Sequence, residues 1–403
     1  MGWSTPWAPT RAELAACVEC GLCLPVCPTF RLTGDETASP RGRINAMRGV
    51  ASGSLPLDAS VADVFEFCLQ CRACEAACPS LVPFGRAMEG ARAEVAATLP
   101  RARVRRRVAG RWIARRRVVR LTTWVAAAGQ RLGARHWLPG SLGTGLRGMR
   151  RLRFRPRSLL GTSHEAIGTP RGTAALLAGC VMDPWFGEVH RAVILVLTLA
   201  GYRIVVPEGQ TCCGALAAHE GRAADAERLA EVNRSAFAAF DLVVVDAAGC
   251  SAHLIGHGPG PTVEDAVVVV ARLIDERRLP TLPGTGERVA VQDPCHHRHA
   301  QRITAAPRTI VRAAGYVAVD LDPDGMCCGA AGLYSQAYPD ASDQLGRAKA
   351  EQVAALGVGV VASANPGCEM QLRARVDAAV RVAHPVELYA EALRRGSGAG
   401  TPT

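Results

Sequence analysis

Cys17-Val-Glu-Cys20-Gly-Leu-Cys23-Leu-Pro-Val-Cys27-Pro28 decides how the chain is read. The pattern returns as Cys68-Leu-Gln-Cys71-Arg-Ala-Cys74-Glu-Ala-Ala-Cys78-Pro79. Both copies are C-x2-C-x2-C-x3-C-P. Three thiolates two residues apart, on a tight loop, wrap three corners of a cubane iron–sulfur cluster. The fourth cysteine is set further off and followed by proline, so it is turned away from its own run. Zinc sites are built from separated cysteine pairs, not from four cysteines in one short run.

In two-cluster ferredoxins the fourth cysteine ligates the other cluster. Two runs in one chain can complete each other in this way. Cys17, Cys20, Cys23 and Cys78 are expected on one 4Fe–4S cluster, and Cys68, Cys71, Cys74 and Cys27 on the second. Residues 1–100 form this helical, ferredoxin-like domain. Between the runs, the Ser-Pro and Arg-Gly pairs of residues 34–44 read as turns before a helix near Ile44–Val50. After the second run, Arg86–Leu99 reads as a helix stopped by Pro100.

Outward from that domain, the 403 residues allow two or three domains, and 49% apolar content marks a globular chain. No secretory leader is visible at the start of the sequence. The longest clean apolar run, Ala192–Ala200, is about half a membrane span. A cytoplasmic chain is expected, and sixteen cysteines there argue for metal ligation over disulfides. Charge is uneven. Residues 101–157 hold 18 arginines and no Asp, Glu or Lys; with the chain at +11, the remainder is left at −7. Residues 101–170 form a basic linker. Arg103–Ala128 is expected as one or two amphipathic helices, and 129–170 as an irregular connection. Such a block suits a solvated linker, a docking surface for a partner, or the inner face of the cell membrane as a peripheral contact. No nucleic-acid-binding motif accompanies the arginines.

Residues 171–395 are duplicated. Cys180, Cys212-Cys213-Gly214 and Cys250 in 171–280 are matched by Cys295, Cys327-Cys328-Gly329 and Cys368 in 281–395. The first three cysteines repeat at an offset of 115 residues, with 31 residues between the lone cysteine and the pair in both halves. Strands are predicted at Thr173–Ala178, Tyr202–Val206 and Leu242–Val245, and again at Arg288–Gln292, Tyr316–Leu321 and Gly357–Ala362. Helices alternate with them at Glu188–Ala200, Arg222–Ala239, Thr304–Ala314 and Ala341–Leu356. The fold class is therefore α/β: two duplicated parallel cysteine-rich units behind the helical N-terminal domain. The cysteines follow the carboxyl ends of strands, where open α/β sheets place their sites. Four thiolates per unit suit Zn²⁺ or an iron–sulfur cluster, against a vicinal disulfide or buried thiols that only pack. Gly214 and Gly329 supply the sharp turn that adjacent cysteines need to meet one centre. His253, His296, His297 and His299 lie close enough in sequence to add an imidazole.

These features together resemble the iron–sulfur subunit of glycolate oxidase (glycolate dehydrogenase). The resemblance rests on the two runs, on Gly34-Asp-Glu with Ser39-Pro-Arg-Gly-Arg-Ile44, on Cys212-Cys-Gly-Ala215, on Cys327-Cys-Gly-Ala-Ala-Gly332 and on Asn365-Pro-Gly-Cys368. It implies an electron relay, fed by FAD on a partner 2-hydroxy-acid oxidase subunit and emptied into a quinone or another acceptor. Related subunits serve lactate, glycerol-3-phosphate and heterodisulfide enzymes, in which the cysteine-rich units could themselves be the active site. The wider family closes each unit with C-x2-C; here His253 and Gln371 stand at the final position. The residues agree with a relay role. There is no Gly-x-Gly-x-x-Gly after a strand and no nucleophile elbow, so the redox chemistry is left to cofactors.

Overall fold

Pro28 forces its predecessor out of the helical region, and Cys27 is extended at φ −86° and ψ 117°. It caps the helix Pro28–Thr33, which carries the fourth cysteine away from the other three. The computed structural model describes residues 2–99, 116–138, 140–256 and 260–396, and all sixteen cysteines lie within them. None is in a disulfide.

The N-terminal domain is helical around its two cysteine runs. Pro40–Ser52, Ala59–Glu66 and Phe84–Thr98 close on a core of Ile44, Met47, Phe65, Met88 and Ala91. Ser39 starts the first of these by accepting the Gly42 N–H on its hydroxyl. The Ile44–Val50 and Arg86–Leu99 helices are thus present, with longer bounds at their N-termini.

Each cysteine-rich unit is a twisted sheet. The first contains β1 (Thr162–His164), β2 (Gly172–Leu176), β3 (Tyr202–Val206), β4 (Leu242–Val245) and β5 (Thr262–Asp265), ordered β1-β3-β2-β4-β5. The second contains β6 (Arg288–Gln292), β7 (Val317–Asp320), β8 (Val360–Ser363) and β9 (Arg381–Ala383), ordered β7-β6-β8-β9. All neighbours are parallel except β1 on β3. Stripped of β1, the first sheet repeats the order of the second. The central strands are continuous apolar runs because helices cover both faces.

The stretch 129–170 is not an irregular connection. It holds the helices Ala134–Trp137 and Gly140–Gly148, and β1 extends the first sheet. Of the expected basic helices, Arg116–Arg131 is present, and 100–115 lie outside the described residues. Among the described residues no helix is long and apolar enough to cross a membrane.

The two units share one core. Val189, Val193 and Val270 of the first pack in the same cluster as Ile310, Val386 and Tyr389 of the second. The closing helix of each unit packs across the boundary: Ala266–Asp275 on Ala305–Ala313, and Pro385–Gly396 on Gly187–Leu199. Their cysteine ends face each other, with the Ala248 N–H donating to Ala364 O at 3.1 Å and the Gly249 N–H to Asn365 Oδ1 at 3.2 Å.

Candidate metal centres

In the two cysteine runs the backbone repeats as well as the sequence. Glu19 and Gly21 are left-handed in the first run, and Gln70 and Arg72 at the same places in the second. Successive left-handed turns aim backbone N–H groups into a concavity that suits an anion, as at iron–sulfur sites. Two arginines buttress the loops from behind. Arg48 donates to Cys17 O at 2.6 Å, and Arg92 to Cys68 O at 2.5 Å. The donor set and its setting therefore fit two anionic, thiolate-held clusters.

The two expected ligand sets differ in burial. Cys20 is exposed, and Cys17, Cys23 and Cys78 are half-buried; Cys27, Cys68, Cys71 and Cys74 are all buried. Burial first, then the nearby Cys295, Cys68 and Cys27 sulfurs, push the Cys71 thiol well up. Burial, then Cys71, Cys68 and Cys27, do the same to Cys74. Cys27 thus stands among the cysteines of the second run, while it also neighbours Cys23. Binding a metal must strip those protons.

In the cysteine-rich units three loops carry the sulfurs to one end of each sheet. Cys180 and Cys250 follow β2 and β4, and Cys295 and Cys368 follow β6 and β8. Between those strand pairs the chain reverses direction across the sheet, the position where such sheets open a crevice. The cysteine pairs follow β3 and β7, and Gly214 and Gly329 turn the chain there at φ +97° and +84°. Cys213 Sγ lies 3.1 Å from Cys250 Sγ, and Cys328 Sγ 3.3 Å from Cys368 Sγ. Cys212 shifts the Cys180 thiol up, and Cys327 shifts the Cys295 thiol down. Among the described residues, no three His, Cys, Asp or Glu side chains are arranged to hold one metal ion. A cubane is gripped at its corners and needs its ligand sulfurs further apart than a single ion does, so the paired sulfurs of each unit would have to part to hold one.

The histidines divide. His296 Nδ1 is 3.6 Å from Cys295 Sγ. His297 is fully buried with Nε2 on Asp265 Oδ2 at 2.8 Å, tying the units together, and His299 reaches Gly325 O at 2.9 Å. His253 and Gln371 take equivalent places: a Cβ on Gly214 would meet His253 Nε2 at 3.0 Å, and one on Gly329 would meet Gln371 Nε2 at 3.2 Å.

Several residues that no motif singles out bind the three parts together. His219 of the first unit meets Gln70 Oε1 at 2.8 Å, and its ring lies 5.4 Å from that of His296. Leu69, Cys71 and Ala73 share a buried cluster with Cys327, Tyr334 and Leu345. The second cysteine run therefore lies against the second unit. Lys349 and Asp322 form a buried ion pair at the loop that leads into Cys327-Cys328; its signal in the sequence is that Lys349 is the chain's single lysine.

Residues 13–82 match the model of the 4Fe-4S dicluster domain, and 174–255 and 289–373 match the model of the cysteine-rich domain. The chain is 32% identical to the probable glycolate oxidase iron-sulfur subunit of Bacillus subtilis, over 95% of this chain and 94% of the relative. It is 27% identical to the glycolate oxidase iron-sulfur subunit of Escherichia coli, over 95% of each. Lactate utilization protein A of Geobacillus thermodenitrificans is 27% identical over 53% of this chain and 94% of the relative.

Proposed function

The chain belongs to the family of glycolate oxidase iron–sulfur subunits, and from that premise we propose that it is the electron-transfer subunit of a flavin-dependent 2-hydroxy-acid dehydrogenase, with glycolate as the first-choice substrate. Cys17, Cys20, Cys23 and Cys78 would hold one 4Fe–4S cluster, and Cys27, Cys68, Cys71 and Cys74 the other. Bound there, the clusters would supply one-electron storage at potentials that the protein sets. The partner would oxidise the alcohol to a 2-oxo acid, releasing two electrons and two protons. This chain would receive the electrons singly and deliver them to an acceptor.

The graded burial of the two ligand sets carries this reading. The exposed set is ringed by apolar side chains that solvent alone does not call for: Val18, Leu22 and Leu81, the last 75% exposed. That is where an FAD-bearing partner would dock. The buried set leads inward to the second cysteine-rich unit. Copurification tests the whole. A flavoprotein should come down with this chain, and glycolate should bleach the cluster absorbance of the pair. Changing both Val18 and Leu22 to aspartate should weaken that association at least tenfold, measured by titration of the separated subunits. Unchanged affinity would move the docking face elsewhere.

The acceptor is proposed to lie at a membrane. The linker exposes Leu121, Trp124, Val125, Leu132, Trp137 and Leu142, with Trp137 67% exposed, in a block that carries arginine and no acid. Apolar side chains with tryptophan among cations suit an anionic lipid surface. Beside this face, between Gly140–Gly148 and the second unit, opens a cavity of about 460 Å³ lined by Leu138, Thr144, Ser342, Met370, Gln371 and Arg375. A quinone headgroup or another organic acceptor would fit there. Vesicles containing phosphatidylserine should pellet the protein at low salt and release it as salt rises. Changing Trp124 and Trp137 together to alanine should lower the bound fraction several-fold; no change would remove the membrane from this reading.

The same cavity is lined by Gln371 and by Ala330, two residues after Cys328, and so favours a second reading in which the second unit itself reduces the acceptor. Cys328→Ser separates the two. Lost turnover with both N-terminal clusters intact supports an active site there.

A further inference from the structure

The chain holds 46 arginines and one lysine. Almost every task for a long cation is given to arginine. Lys349 is the exception, and it is not on the surface. It lies on the helix Pro339–Leu356 with its side chain 3% exposed. Its ammonium pairs with the equally buried carboxylate of Asp322. That carboxylate also accepts the backbone N–H groups of Asp324 at 3.2 Å and Met326 at 2.6 Å. Met326 runs directly into Cys327-Cys328. An arginine fork would bring five donors into this closed site, whereas an ammonium is compact and brings three.

The duplicated first unit does the same mechanical work without charge. Asn233, buried on the matching helix Ala223–Phe237, accepts the Thr211 N–H at 2.8 Å and donates to Cys212 O at 2.9 Å. Pinning the loop ahead of the cysteine pair therefore does not require an ion pair. The charge in the second unit calls for a second reason, and the ion pair stands at the cysteine pair itself: Asp322 holds both the Lys349 ammonium and the N–H of Met326, the residue before Cys327-Cys328.

We propose that Lys349 is a positioning residue that keeps a fixed positive charge behind Cys328, making an iron–sulfur centre held by Cys295, Cys327, Cys328 and Cys368 easier to reduce than its counterpart in the first unit. This rests on the reading that the second unit holds such a centre. Reduction adds negative charge to the centre, so a nearby desolvated ammonium favours the reduced form and a carboxylate opposes it.

The test is an EPR-monitored redox titration of the reconstituted full-length chain as wild type, K349M and D322N. K349M should make the second unit's reduction equilibrium about tenfold less favourable, a downward shift of about 59 mV for one electron. D322N keeps an amide oxygen for Asp324 and Met326 but loses the negative charge, and should shift the potential upward. The N-terminal centres should move less in both. A role in folding alone would move both variants the same way, so shifts of one sign, or none, overturn the proposal. Should K349M not fold, the upward shift in D322N decides by itself. Iron analysis of C328S separates the underlying reading: iron equal to wild type means that Cys328 holds no centre, and the proposal falls with it.

Discussion

Cys27→Ser should strip iron from the site of the other run, not from its own. Iron should drop by about four atoms per chain, the content of one cubane. The surviving cluster should be that of Cys17, Cys20, Cys23 and Cys78. The reason is local. Pro28 holds Cys27 extended at the head of a helix, its Sγ is 3.3 Å from the Thr29 hydroxyl, and it stands among the buried sulfurs of Cys71 and Cys74. The double variant C27S/C71S sharpens the outcome. If the two cysteines share a cluster, the double variant again loses about four irons; if each run closes its own cluster, both are lost and iron falls by about eight. Electron delivery from the partner should fall by roughly a hundredfold or more, because even residues behind the ligands of a metal site cost 10–100-fold. Stopped-flow bleaching at the cluster absorbance measures it.

Arg150→Met should cost about 3–5 kcal/mol of stability, the usual penalty for leaving buried charge unpaired. Arg150 comes from the linker and enters the second unit between two carboxylates. Its guanidinium meets Glu369 at 2.6 and 2.7 Å and Glu387 at 2.6 and 2.7 Å. Glu369 is 2% exposed and directly follows Cys368. The same guanidinium meets two different fates of burial. At Glu387 burial is outweighed by Arg150 and the carboxyl is held low; at Glu369 burial wins and the carboxyl is raised. The Glu387 share of stability is intact above its unfolded pKa and is lost as the pH falls through its depressed folded value. R150M should lack that acid-side slope. Adding E369Q and E387Q should recover part of the lost stability, because the orphaned charges are then gone. Thermal unfolding from pH 7 down to well below pH 4 checks the sign, and R150M as stable as wild type at pH 7 would show that the triad contributes little.

Much of this architecture is legible in the sequence wherever one physical constraint acts locally. Leu242–Val245 and Arg288–Gln292 stand at the predicted bounds because strands buried on both faces need apolar runs. The shared cysteine end of each sheet follows from the duplicated spacing. Two further pieces were not visible. Thr262–Asp265 and Arg381–Ala383 are strands of four and three residues, too short and too polar to show alternation, and their register comes from the neighbouring strand. The helices behind them complete the opposite unit, and no pattern within either half announces that exchange. At the centres the cysteines announced themselves through spacing, but His219, Gln70, Asp322 and Lys349 did not. Their partners lie 149 residues away for His219 and Gln70 and 27 for Lys349 and Asp322, distances that only folding joins.

Anaerobic reconstitution with iron and sulfide, followed by metal analysis and EPR after reduction, goes most directly to whether this chain carries electrons. About eight or more irons per chain, with two interacting signals of reduced 4Fe–4S clusters that glycolate evokes only when the flavoprotein is present, is the expected result. A colourless, EPR-silent protein, or one loaded with zinc alone, would contradict it.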